Sequence, residues 1–260
     1  MIRLKTSEEI KLLRDSGKLG AQTLRYAGSL VRPGISTLEI DGLVREFILD
    51  HGAYPSPLNY PGRPTDPRKP RIEQGCFPYS ICTSINNVVT HGIPSAKEIL
   101  QDGDIVNLDI TVCVKGYHGD CSSTFYVGEV APEVRNLVET TRRCLDQAIL
   151  VAVEGAFLND IGATIQDLAE AEGYSVVREY CGHGIGRKFH EEPQVLHHRD
   201  RPGPRLRKGM VFTIEPGIYI REEGLGVRLE NDVLVGKDKN FDLMGRIPIE
   251  AEEIEALMRK

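Results

Sequence analysis

Four carboxylates occupy matched positions in this chain of 260 residues. Asp109 closes the run Asp102-Gly-Asp-Ile-Val-Asn-Leu-Asp109, and Glu215 closes Lys208-Gly-Met-Val-Phe-Thr-Ile-Glu215. Each run is a Gly turn followed by a β-rich segment that ends in an acid. A hairpin follows in both, Lys115-Gly116 to Gly119 and Arg221 to Gly226, and each return strand holds a second acid, Asp120 or Glu230. Acids in apolar strands face burial, where they need a partner, and four of them converging on one spot repel. A divalent metal is the natural neutraliser, and two ions bridged by shared carboxylates fit best. One acid in a strand is ordinarily salt-bridged or solvated; the repetition of the pattern argues against that here. Three histidines sit beside Gly or Pro turns: His183 in Cys181-Gly-His-Gly-Ile-Gly, His190 in Phe189-His-Glu-Glu-Pro, and His91 in Thr90-His-Gly-Ile-Pro. Functional groups concentrate on such loops. His118 reads either way; His51, His197 and His198 read as structural or solvated.

The elements that must position these residues repeat as well. Gly34 and Gly52 bracket one amphipathic segment, and Gly155 and Gly173 bracket another. Ile40 matches Ile161, Val44 matches Ile165 and Phe47 matches Leu168, one face of a helix in each case. Ser36 with Glu39 predicts a capping box, and Asn159 an N-cap. A longer helix precedes each segment, from about Thr6 to Leu30 (with Thr6 and Glu9 as a second capping box) and from about Pro132 to Val153. The expected architecture is α+β: one catalytic domain over 1–260, built from pseudo-repeat halves of about 1–130 and 131–260 that share one sheet and one site. The first half carries extra material at 63–76, where prolines at 61, 64, 67 and 70 predict an extended polyproline II segment.

Composition narrows the function classes. Lys and Arg total 32 against 38 Asp and Glu, a net charge of -6, so no basic excess draws the chain to DNA or anionic membrane. The N-terminus shows no apolar run of signal-peptide type, and the longest aliphatic run, Ala148 to Val153, is far short of a membrane span. Six Cys without a C-x-x-C pair read as reduced thiols, and the expected location is cytoplasmic. No G-x-S-x-G elbow, phosphate-binding P-loop or H-E-x-x-H motif is present.

Taken together with Ser80-Ile-Cys-Thr-Ser-Ile-Asn-Asn-Val-Val-Thr-His91-Gly-Ile-Pro and Tyr117-His-Gly-Asp120, these motifs resemble type I methionine aminopeptidases over nearly the whole chain. Those enzymes are metal-dependent exopeptidases of the pita-bread fold. The resemblance implies two pseudo-symmetric halves, with an inner antiparallel-rich sheet covered by outer helices. It implies hydrolytic removal of N-terminal methionine with two divalent ions (Co, Mn, Fe or Zn). Asp109 would hold one ion, His183 and Glu215 the other, and Asp120 and Glu230 would bridge. His190 would stabilise the oxyanion, His91 would meet the scissile amide nitrogen, and Glu215 would shuttle a proton. Tyr60, Phe77, Cys82 and Phe189 would form the methionine pocket, with His91 at its edge and His190 also against the substrate. The implied partners are nascent polypeptide N-termini, and the expected state is a monomer. The insert, with Arg63, Arg68, Lys69 and Arg71 against Asp66 and Glu73, reads either as an exposed loop or as a lid or docking arm for a proline-binding module or for transient ribosome contact.

Two features depart from that family. The segment from Glu215 to Glu230 is short, and the chain has no Trp. It resembles instead the C-terminal part of aminopeptidase P and prolidase, where an Arg matching Arg228 stands beside the metal glutamate. The insert 63–76 also separates Tyr60 from Phe77, which should be continuous pocket wall. An Xaa-Pro or broader metalloaminopeptidase is therefore the alternative, and a non-catalytic binding protein of the same fold a further one. The short stretch before the first helix argues against the former, and the filled ligand positions against the latter.

Overall fold

The computed structural model describes residues 1–220, 224–236 and 241–242. Among the described residues, four helices follow the apolar periodicity: α1 (Ser7–Leu30), α2 (Thr37–Asp50), α3 (Pro132–Val151) and α4 (Leu158–Ala171). Thr6 and Glu9 cap α1 reciprocally, Ser36 accepts the Glu39 N–H at the start of α2, and Pro132 opens α3. The N-cap expected at Asn159 is wrong. Phe157 takes that position, and its N–H donates to the Asp160 carboxylate at 2.8 Å. The Asn159 side chain is drawn instead into the following loop, donating to the His198 carbonyl at 2.9 Å and accepting the Asp200 N–H at 2.7 Å.

The strands are β1 (Tyr54–Pro55), β2 (Cys82–Ile85), β3 (Ile105–Val114), β4 (Tyr117–Tyr126), β5 (Ser175–Val176) and β6 (Gly182–Gly184). They continue as β7 (Glu191–Val195), β8 (Val211–Ile214), β9 (Gly217–Ile220), β10 (Leu225–Arg228), β11 (Glu230–Leu234) and β12 (Phe241–Asp242). One sheet runs β1-β3-β4-β11-β8-β6-β7, with β2 on β3 and β12 on β11; a smaller one runs β10-β9-β5. Strands from both sequence halves thus share the large sheet and meet at the β4–β11 pair, where Glu230 lies opposite Ser122. Every pairing between described strands is antiparallel. The β3–β4 turn takes positive φ at Lys115 and Gly116, as a tight hairpin requires. Of the second expected hairpin, residues 221–223 lie outside the described residues; on either side, Ile220 pairs with Leu225.

Helices cover the sheet closely. Leu13, Leu24 and Ala27 of α1 are fully buried. A side chain at Gly119 of β4 would lie 2.6 Å from the Gly17 nitrogen, so that residue lets α1 reach the sheet backbone. The six cysteines are free thiols, and Cys82, Cys121 and Cys144 are buried. No helix among the described residues is long and apolar enough to cross a membrane.

The insert does not form one continuous polyproline II segment. Asp66 turns the chain: its carbonyl accepts the Lys69 N–H at 3.1 Å and its carboxylate the Arg68 N–H at 3.0 Å. Asn59 and Glu73 close the neck. The Asn59 amide donates to the Arg63 carbonyl at 2.7 Å and accepts the Glu73 N–H at 2.6 Å, while the Glu73 carboxylate accepts the Arg63 N–H at 2.9 Å. Below the neck, the Phe77 N–H donates to the Tyr60 carbonyl at 2.9 Å. The chain leaves and returns at one point, so Tyr60 and Phe77 are neighbours despite the insertion.

Candidate metal centre

Strand register brings the four acids together. Asp109 of β3 faces Ser122 of β4, which on its other side faces Glu230 of β11. Directly opposed residues share a sheet face, so Asp109 and Glu230 flank Ser122 in one row. Asp120 lies two residues from Ser122 and therefore on the same face. Asn231 pairs with Ile214, so one step on, Glu215 comes beside Glu230. His183 enters from β6, its Nε2 3.6 Å from Asp120 Oδ2 and 3.9 Å from Glu215 Oε1.

Local hydrogen bonds aim each donor. Thr111 donates to Asp120 Oδ1 at 2.7 Å, which leaves Oδ2 toward His183. The Thr213 hydroxyl donates to Glu215 Oε1 at 2.7 Å and accepts the His183 N–H at 2.9 Å. His183 Nδ1 sits 3.1 Å from the Gly184 carbonyl, so Nε2 is the nitrogen presented to the acids.

Arg228 is the counter-charge. It is 4% exposed, and its guanidinium reaches Asp109 Oδ2 at 2.6 Å, Glu230 Oε2 at 3.1 Å and Glu215 Oε2 at 3.3 Å. Burial pushes the Glu230 carboxyl well up, and the neighbouring charges of Asp120 and Glu215 push it further. Burial also raises Glu215, against the opposing pull of Arg228. Burial alone would lower His183, but the Asp120 hydrogen bond and the charges of Glu215 and Asp120 raise it to about 9. Four acids crowd around one guanidinium and one imidazole in this buried site. Asp120, His183 and Glu230 each offer a ligand atom within 4.8 Å of the others. This donor set of oxygens and one imidazole fits a divalent ion. Replacing Arg228 with Met should destabilise the metal-free protein by ~3–5 kcal/mol, because it strands buried acids without their partner. Denaturant unfolding of the dialysed variant measures this, and a change below ~1 kcal/mol would contradict the role given to Arg228.

All the residues singled out by sequence line one cavity of about 1100 Å³: Asp109, Asp120, His183, Glu215 and Glu230 on its floor, with His91, His190, Tyr60, Phe77, Cys82 and Phe189 around them. His190 stands 4.1 Å from the His183 ring, 4.3 Å from Phe189 and 5.0 Å from Tyr60, centroid to centroid. Burial, reinforced by His183 and His91, holds its imidazole down to about 3, which keeps it neutral. Burial also lowers His91, with Arg228 adding to the effect, and its ring packs edge-on against Tyr180 at 4.9 Å. The Cys82 thiol is pushed well up by burial and by Asp109, so it is an apolar wall and not a thiolate.

His197 is structural, one of the two roles the sequence left open for it, but its place behind the site was not foreseen. His197 is 2% exposed, and its Nε2 accepts the Glu215 backbone N–H at 3.1 Å. It fixes the acid at the end of β8 from behind. Its only sequence signal is a position two residues past β7, which carries no chemistry by itself.

The comparisons with known proteins agree with this geometry. The model of Metallopeptidase family M24 matches residues 11–237. The chain belongs to metallopeptidase family M24. Within it, the chain is similar to methionine aminopeptidase A of Synechocystis sp., 47% identical over 84% of this chain and 81% of that protein. The crystal structure of methionine aminopeptidase from Rickettsia prowazekii superposes with a TM-score of 0.85 at 40% identity, covering 94% of this chain and 100% of that one. An Xaa-Pro dipeptidase from Bacillus anthracis superposes with a TM-score of 0.76 at 27% identity, covering 94% of this chain and 62% of that one. The family is one of metallopeptidases, and the grouped ligand atoms of Asp120, His183 and Glu230 suit a divalent ion.

Proposed function

We propose that this M24 chain removes N-terminal methionine from peptides and proteins, with two divalent ions held by Asp109, Asp120, His183, Glu215 and Glu230. The reading rests above all on the five donors sharing one cavity with the Tyr60, Phe77, Cys82 and Phe189 wall. When bound, the ions supply Lewis-acid polarisation and a water nucleophile at neutral pH. Asp109 would hold one ion and His183 with Glu215 the other, with Asp120 and Glu230 available to both. Glu215 would also be placed to take up a proton from an attacking water and pass it on. Neutral His190 donates to the oxygen that becomes negative as the carbonyl is attacked. His91 hydrogen-bonds the scissile amide nitrogen. The aromatic and thiol wall receives the thioether side chain, whose sulfur suits aromatic neighbours.

Nascent N-termini are the substrates that this reading supplies, met in the cytoplasm by a monomer. The cationic insert, with Arg63, Arg68, Lys69 and Arg71 exposed, serves as a docking arm at the ribosome. Arg228 beside Glu230, as in the proline-directed relatives, favours a second reading as an Xaa-Pro peptidase. Hydrolysis of Met-Ala-Ser and of Ala-Pro peptides by metal-loaded protein separates the two. Release of Met from Met-Ala-Ser with Ala-Pro untouched is expected. The reverse preference supports the second reading, and inactivity on both with full metal content supports a binding protein.

A further inference from the structure

We infer that the segment before α1 is part of the catalytic apparatus, and that Lys5 is a positioning residue which acts through Glu191 to hold the turn that presents His190. The inference rests on the oxyanion role proposed for His190. The turn runs from Gly186 to Glu191, and the Glu191 carboxylate organises it. Its Oε1 accepts the Lys188 N–H at 3.2 Å, and its Oε2 accepts Lys5 Nζ at 2.6 Å. The Gly186 N–H closes the turn on the Lys188 carbonyl at 3.2 Å. The Lys5 side chain is only 3% exposed, and a buried ammonium persists only where a carboxylate meets it. Burial alone would raise the Glu191 carboxyl, but the hydrogen bonds from Lys5 and the Lys188 N–H hold it below the ordinary range.

Both ends of this strut are fixed. The Lys5 N–H donates to the Gly209 carbonyl at 2.8 Å, and the next residue, Thr6, caps α1. On the turn, the Gly186 carbonyl accepts the His118 N–H at 2.9 Å, and the His118 ring stacks parallel to Phe189. Gly186 leaves room for the ion pair in its present place, since a Cβ there would lie 2.3 Å from Lys5 Nζ and 2.6 Å from Glu191 Oε1 and would push the two side chains aside. The ion pair therefore fills the inside of the turn, and His190 is the residue next to its carboxylate. Met1 and Arg3 of the same segment line the cavity mouth. Without the Lys5 charge, Glu191 turns to water, and the His190 ring loses the fixed position from which it donates.

The test is a kinetic double-mutant cycle on the metal-loaded protein with Met-Ala-Ser, with K5M, E191Q and H190A as variants. K5M should lower kcat by about 10- to 100-fold, the cost of displacing a reacting group by ~1 Å, with KM within about twofold. In the H190A background, K5M should have no further effect on kcat, because both changes remove one donor. A merely stabilising ion pair would lower Tm and act additively with H190A. Wild-type kcat in K5M, or full additivity, overturns the inference while the peptidase reading stands. If K5M does not fold, E191Q decides by the same two criteria. Wild-type protein inactive on Met-Ala-Ser overturns the peptidase reading first and this inference with it.

Discussion

Replacing Glu230 with Ala should abolish both peptide hydrolysis and retention of divalent metal. Glu230 is 1% exposed, opens β11, and stands between Arg228 and the Asp120–His183 pair. It is one of the three donors whose ligand atoms crowd within 4.8 Å. Its removal takes away a shared carboxylate and leaves Asp120 and His183 as a two-donor remnant. Losing the Lewis acid costs several kcal/mol of transition-state stabilisation, on the order of 10³-fold in turnover. The fold should survive, because Arg228 keeps Asp109 and Glu215 as partners. Steady-state kinetics and elemental analysis after dialysis check both halves. A variant with wild-type metal content and turnover would remove Glu230 from the centre.

His190→Ala should behave differently. Its kcat is expected to fall by ~10²-fold, the cost of one oxyanion donor, while bound metal is unchanged. His190 lies beside His183 but is not among the grouped donors, and burial keeps its ring neutral. It can donate one N–H without bringing a second positive charge next to the ions. Kinetics with parallel metal analysis of the same sample distinguish it from Glu230. A change confined to KM would assign His190 to ground-state binding, and loss of metal would make it a ligand.

Much of this site was legible in the chain. Gly turns followed by acid-terminated β runs place Asp109 and Glu215 symmetrically, and each return strand carries its own acid. Hairpin geometry is local, so sequence spacing reports it directly. The helices were legible for the same reason, since Thr6 and Glu9, or Ile40 and Val44, lie within two turns of one another. What escaped is long-range. Lys5 meets Glu191 across 186 residues, and although Glu191 lies in the Phe189-His-Glu-Glu-Pro run, nothing local links it to Lys5. His197 matters only because β7 returns it behind Glu215. The insert misled for a physical reason: proline spacing favours an extended chain, but the Asp66 side chain supplies a competing turn. Asn59 and Glu73 then tie the neck, so the pocket wall from Tyr60 to Phe77 is unbroken.

Anomalous diffraction from crystals of the chain grown with Mn²⁺ gives the most direct check of the central claim. Two peaks are predicted inside the cavity, one reached by Asp109 and the other by His183 and Glu215, with Asp120 and Glu230 touching both. Diffraction that shows these five side chains ordered, with no anomalous peak among them at saturating Mn²⁺, would contradict a dinuclear peptidase centre.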